Sequence, residues 1–176
     1  MVALATTVAT ALTGCSNVTE SAEKPKEAPD TREVSTARRE VKGISKEILE
    51  LMGLQGRVND RGAGRSGCGD GSPSKYYVIH HPWSLSDVSI DDMKRAMERL
   101  KDELPRSGWN ITSYGPDKSP SASLELVADS AKKKASVSIR LLDRTRRPHP
   151  GAPSMIYVDL TSECFQPPKG KNVDEY

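Results

Sequence analysis

Ala122-Ser123-Leu124-Glu125-Leu126-Val127-Ala128 and, beyond the Lys132-Lys133-Lys134 turn, Val137-Ser138-Ile139-Arg140-Leu141 set apolar side chains at alternate positions. A period of two belongs to a strand with one buried and one wet face. Ile156-Tyr157-Val158-Asp159-Leu160 repeats the pattern, and Trp109 to Tyr114, closed by a Gly-Pro-Asp turn, precedes it. Tyr76-Tyr77-Val78-Ile79-His80-His81 reads as an earlier short strand ended by Pro82. Five wet-faced strands need a cover, and two helical stripes supply it. Ala37, Val41, Ile44, Ile48 and Leu51 recur at helical spacing after the candidate caps Ser35 and Thr36, with Gly53 as the stop. Ile90, Met93, Met97, Leu100 and Leu104 do the same after Ser89, before Pro105 and Gly108. The expected fold is therefore α+β: a five-stranded, mainly antiparallel sheet covered on one face by two helices.

Ahead of this domain stands the only long uncharged run, Met1 to Gly14, ending in Leu12-Thr13-Gly14-Cys15. As a helix it would reach about half of a ~30 Å hydrocarbon core, the length of a signal-peptide apolar region and too short to span. Leu12-Thr13-Gly14-Cys15 resembles the lipobox of bacterial lipoproteins, and the chain looks like a small secreted lipoprotein of the actinobacterial type. The resemblance implies cleavage before Cys15, alkylation of its sulfur by diacylglycerol, and attachment to the extracytoplasmic face of a cell membrane. No Lys or Arg precedes Cys15, so the reading expects a start upstream of Met1 or inefficient export. Ser16 to Val34 mixes charges with two prolines and few apolar residues, as a disordered tether would. Its r.m.s. reach is about 25 Å. The organisation expected is 1–14 signal peptide, 15–34 lipidated cysteine and tether, 35–166 a single domain, and 167–176 a flexible tail.

With Cys15 lipidated, Cys68 and Cys164 remain as an even pair in an exported, disulfide-permissive compartment. A bridge between them closes a loop of almost a hundred residues. It also favours the Tyr76 strand and the Ile156 strand as antiparallel neighbours. Hairpins join the last four strands, which gives the spatial order 2-3-4-5-1, with a right-handed crossover through the second helix.

Composition narrows the function classes. Lys and Arg number 26 against 24 Asp and Glu, a net charge of +2, without the basic surplus of a nucleic-acid binder. His80 and His81 are adjacent on a strand and point to opposite faces, His149 lies between prolines, and no metal-ligand spacing appears, so no metal or cofactor is expected. Gly62-Ala63-Gly64-Arg65-Ser66-Gly67 is formally G-x-G-x-x-G. Lacking a strand before it and a helix after it, it reads as a loop pinned by Cys68. Asp91 and Asp92 sit at a helix N-terminus, where they favour the macrodipole, and no G-x-S-x-G or serine triad is legible. Lys132-Lys133-Lys134 and Arg144-Thr145-Arg146-Arg147 read as solvated turns, with contact to anionic headgroups as the alternative. Tyr76, Tyr77, Trp83, Trp109 and Tyr157 read as packing rather than a ligand groove.

These readings converge on a monomeric, non-enzymatic binding or structural module of the cell envelope, partnered by the lipid bilayer through acylated Cys15 and by an envelope ligand. The Gly- and Pro-rich, basic character points to a Gram-positive envelope. An envelope hydrolase with a site between sheet and helices is the alternative, favoured if Asp91, His80 and Tyr77 share one pocket. A cytosolic domain is a third reading.

Overall fold

The computed structural model describes residues 29–68, 75–145, 152–171 and 173. Cys15, the signal-peptide segment, residues 16–28 of the tether, His149 and the Arg146-Arg147 pair lie outside the described residues. In chain order the elements are β1 (Asp30–Thr31), α1 (Val34–Met52), β2 (Arg57–Asp60), β3 (Gly64–Gly67), β4 (Tyr77–Ser86), α2 (Ile90–Arg106), β5 (Asn110–Pro116), β6 (Leu124–Ser130), β7 (Ala135–Leu142), β8 (Met155–Ser162) and β9 (Phe165–Gln166). The class is α+β.

The expected five strands form a continuous antiparallel run, β4-β8-β7-β6-β5, in the anticipated order. The expected count of five is corrected: the sheet has nine strands and is mixed, because β1 and β9 pair in parallel. β2 and β3 both pair with β4, so Arg57–Asp60 and Gly64–Gly67, the latter within the stretch read as a loop, are edge strands. Apart from Val58, their residues are polar or small, because strands held by backbone hydrogen bonds at a wet edge need no apolar alternation. Tyr77 pairs with Gly67 on one edge of β4, so its pairing with Phe165 lies on the other, the edge that β8 occupies. β9 thus resumes where β8 stops, and β1 adds beside it.

Pro82 does not end β4, which runs on to Ser86. Beside β4, β2 pairs down to Trp83 and β3 takes over at His80, leaving His81 and Pro82 without a registered partner on that edge. A residue that lacks an N–H is tolerated at such a break.

Register lines up His81 with Leu160 and Val137, and Trp83 with Val158, Ile139 and Leu126, as one buried face. α1 packs over β4 and β8, and α2 over β5 and β7. The α1 stripe buries Val34, Ala37, Val41, Ile44, Ile48 and Met52, so Met52 replaces the expected Leu51 as the deepest residue of the last turn. α2 buries Met93, Ala96, Met97, Leu100 and Leu104. Its N-cap Ser89 accepts from the Asp92 N–H at 3.1 Å, a bond whose loss costs about 1 kcal/mol. Gly53 ends α1 in the left-handed region at φ 59°. A Cβ on Gly56 would lie 2.4 Å from the Ser86 carbonyl oxygen, so the turn from α1 into β2 sits directly against β4.

Order begins earlier than the sequence suggested. Residues 30–34, read as tether, form β1 and the start of α1, held by the Arg32–Glu40 ion pair and by Tyr77 Oη donating to the Arg32 carbonyl at 2.6 Å. Burial pushes the Tyr77 phenol up to about 12, so it stays a donor. In the expected tail, Val173 is buried. No helix among the described residues is long and apolar enough to cross a membrane.

Cys68 and Cys164 are bridged, with Cα atoms 6.0 Å apart across a sequence separation of 96. In the chain-entropy picture a loop of that size contributes about 4–5 kcal/mol. Cys68→Ser with Cys164→Ser is expected to lower the melting temperature by an amount equivalent to a loss of roughly 2–5 kcal/mol. Thiol titration of the unreduced, folded protein should find neither cysteine. An unchanged melting temperature would show that the bridge is energetically idle.

Candidate functional site

His80 and His81 point to opposite faces, as alternation requires. On the open face, His80 Nδ1 lies 3.0 Å from Thr161 Oγ1 and its Nε2 lies 2.8 Å from Ser66 Oγ. Asp91 is exposed in the first turn of α2, 3.6 Å from Lys94 Nζ, and Tyr77 is in the core. The three residues proposed as a hydrolase cluster are therefore dispersed. Asp92 bonds Ser89 and Arg95, which hold its carboxyl below the ordinary range. Trp83, Trp109 and Tyr77 are core residues. Among the basic turns, Lys133 pairs with Glu47 at 2.6 Å and Lys134 pairs with Asp30, so both are engaged within the domain.

Two concave features stand out among the described residues. The larger is a groove of about 1150 Å³ between α2 and the ends of β6 and β7. Lys94, Arg95, Glu98, Arg99 and Asp102 form its helix wall, Ser121 to Leu124 and Leu141 to Arg144 the opposite wall. Arg99 is also structural: its guanidinium donates to the Met52 carbonyl at the C-terminus of α1. Tyr114 Oη donates to Glu98 at 2.8 Å behind this wall, and burial followed by that carboxylate raises its phenol.

The smaller feature is a slot of about 170 Å³ between α1 and β2, lined by Lys42, Ser45, Lys46, Leu49, Val58, Asp60, His81 and Trp83. At its base Ser45 Oγ is 2.7 Å from His81 Nδ1, and His81 Nε2 is 2.8 Å from Asp60 Oδ1. Ser45 and His81 are 5% and 3% exposed, whereas the Asp60 side chain is 42% exposed. The sequence reading missed this Ser-His-Asp chain. Its members, at positions 45, 60 and 81, come from a helix, an edge strand and the central strand, with no local motif to join them. The only legible signal was Ser45 at a buried helical position, four residues after Val41 and three before Ile48.

Asp60 carries a balance of effects. Partial burial by itself raises its carboxyl, but the Gly62 N–H at 2.6 Å, the His81 hydrogen bond and the nearby charges hold it below its ordinary 3.8. The ionised form is thus favoured by folding. Its stabilisation is complete above pH about 3.8 and disappears as the pH falls through the lower folded-state value. Among the described residues, no group of three or more His, Cys, Asp or Glu could hold a metal ion.

Asp60→Asn is expected to be less stable than the parent at neutral pH. The difference should shrink as the pH drops below about 4, checked by chemical denaturation of both proteins at pH 3 to 7. A difference independent of pH would show that the charge of Asp60 contributes nothing to the fold.

No protein-family model, no curated protein and no solved structure matches this chain.

Proposed function

We propose that the chain is a lipid-anchored, extracytoplasmic binding module of a bacterial cell envelope, held through acylated Cys15 and taking its ligand in the groove beneath α2. The observation that carries this reading is the Cys68–Cys164 bridge. A buttressing disulfide belongs to an oxidising compartment, and that is where a lipobox cysteine would deliver the domain. The groove has the size of a small-molecule site and supplies apolar wall from Leu124, Leu141 and Leu142 with cations and carboxylates on the rim. A ligand with an apolar body and hydrogen-bonding or dipolar ends fits such walls.

In a bacterial host the chain with its full leader is expected to take up labelled fatty acid and to partition with membranes. Cys15→Ala should lose both, since two acyl chains at about 0.8 kcal/mol per buried methylene hold a protein on a bilayer effectively permanently. Unlabelled, freely released parent protein would overturn the anchor. Parent protein purified gently from that envelope should carry a non-covalent mass that Ser121→Trp, placed on the exposed rim of the groove, loses. A ligand retained by Ser121→Trp would move the binding site elsewhere.

A further inference from the structure

We propose that Ser45 is a base-activated nucleophile and that the slot between α1 and β2 accepts small carboxylic esters. The site is separate from the groove, and its residues are not the Asp91, His80 and Tyr77 of the hydrolase alternative.

The first support is the direction of the hydrogen bonds. With Asp60 ionised, His81 Nε2–H donates to Asp60, so the lone pair of Nδ1 faces Ser45 and accepts its O–H. This is the nucleophile–base–orienter order of a serine hydrolase, with the two ring nitrogens exchanged. Asp60 is itself fixed by the Gly62 N–H. A helical serine ordinarily satisfies its hydroxyl on the carbonyl four residues back, whereas Ser45 spends its proton on His81. No donor among the described residues reaches Ser45 Oγ, which leaves its lone pairs uncommitted.

The second support is that all three members line the same slot. Leu49, Trp83 and Val58 give it an apolar wall, and Val58 is the one exposed large hydrophobic among the described residues. At about 30 Å³ per water, the slot holds roughly five or six waters or one short acyl chain. Lys42 and Lys46 line the slot beside Ser45; Lys46 also pairs with Glu50 at 3.7 Å, so Lys42 is the cation assigned to a developing oxyanion in place of backbone donors.

The reaction balances without any further reagent. Ser45 Oγ bonds to the ester carbonyl carbon while its proton passes to His81 Nδ1, and Asp60 stabilises the imidazolium. The bond from that carbon to the alkoxy oxygen breaks, His81 protonates the leaving oxygen, and the alcohol departs. Water then attacks the acyl-serine, giving a proton to His81. The carbon–Oγ bond breaks and Ser45 recovers the proton, so ester and water become acid and alcohol.

The test uses a small alkyl fluorophosphonate on the intact, bridged protein, with the adduct located by peptide mass spectrometry. The expected result is one adduct, on Ser45, absent from Ser45→Ala. His81→Gln should slow labelling by about a hundredfold or more, the range of a lost general base, and Asp60→Asn by about tenfold. Circular dichroism checks each fold. Should His81→Gln fail to fold, Asp60→Asn decides, because its side chain lies at the exposed mouth of the slot. A folded protein without an adduct on Ser45, or one labelled there at a rate indifferent to Asp60→Asn, overturns the proposal.

Discussion

β4 is the strand on which everything else is assembled. Its ten residues pair with β8 and β9 along one edge and with β2 and β3 along the other. Its inward face presents Tyr77, Ile79, His81, Trp83 and Leu85 to the helices. The Cys68–Cys164 bridge ties the end of β3, an edge partner of β4, to the chain between β8 and β9. The loop that this pairing must close is long, so the bridge lowers the entropic cost of bringing β4 and β8 together. Once β4 and β8 are paired, β7, β6 and β5 follow by hairpins, and α2 spans from β4 to the far edge.

The elements legible in the sequence are those whose formation is driven by burial. Alternation in β6, β7 and β8 and the stripes of α1 and α2 reflect side chains that must leave water, and that demand is written as periodicity. Elements held chiefly by main-chain bonds left no such record. β2, with Arg57-Val58-Asn59-Asp60, and β3, with Gly64-Arg65-Ser66-Gly67, pair with β4 through groups that every residue possesses. β1 is two residues long and rests on its neighbours rather than on its composition. Pro82 misled for a related reason: whether a missing N–H matters depends on what lies across from it, which the sequence does not state.

The same distinction governs the slot. A strand that buries alternate residues would ordinarily place an apolar group at position 81, and His81 breaks the pattern at the centre of the core. A buried imidazole needs partners for both nitrogens. Ser45 from the helix and Asp60 from the edge strand provide them. The interruption between β2 and β3 that accommodates Pro82 also turns Asp60 toward His81, with Gly62 closing back on its carboxylate. Proline, strand break and polar chain are thus parts of one local arrangement, and its members come together only because Arg57–Asp60 is a strand.

β7 runs from the place where the described chain enters the fold to the groove. At its start, Lys134 pairs with Asp30 of β1, so the described chain comes into the fold beside the bridge and β9. At its finish, Leu141 and Leu142 line the groove beneath α2. Eight residues of β7, at about 3.3 Å each, separate these ends by roughly 26 Å. A tether leading back from Asp30 to an acylated Cys15 would therefore leave the domain at the end opposite the groove. The ligand opening would face away from the bilayer without any constraint from the tether, and the bridge would stiffen the end that bears the anchor. Under the proposed anchoring, position and reach would favour a ligand on the outer side of the domain rather than one within the membrane.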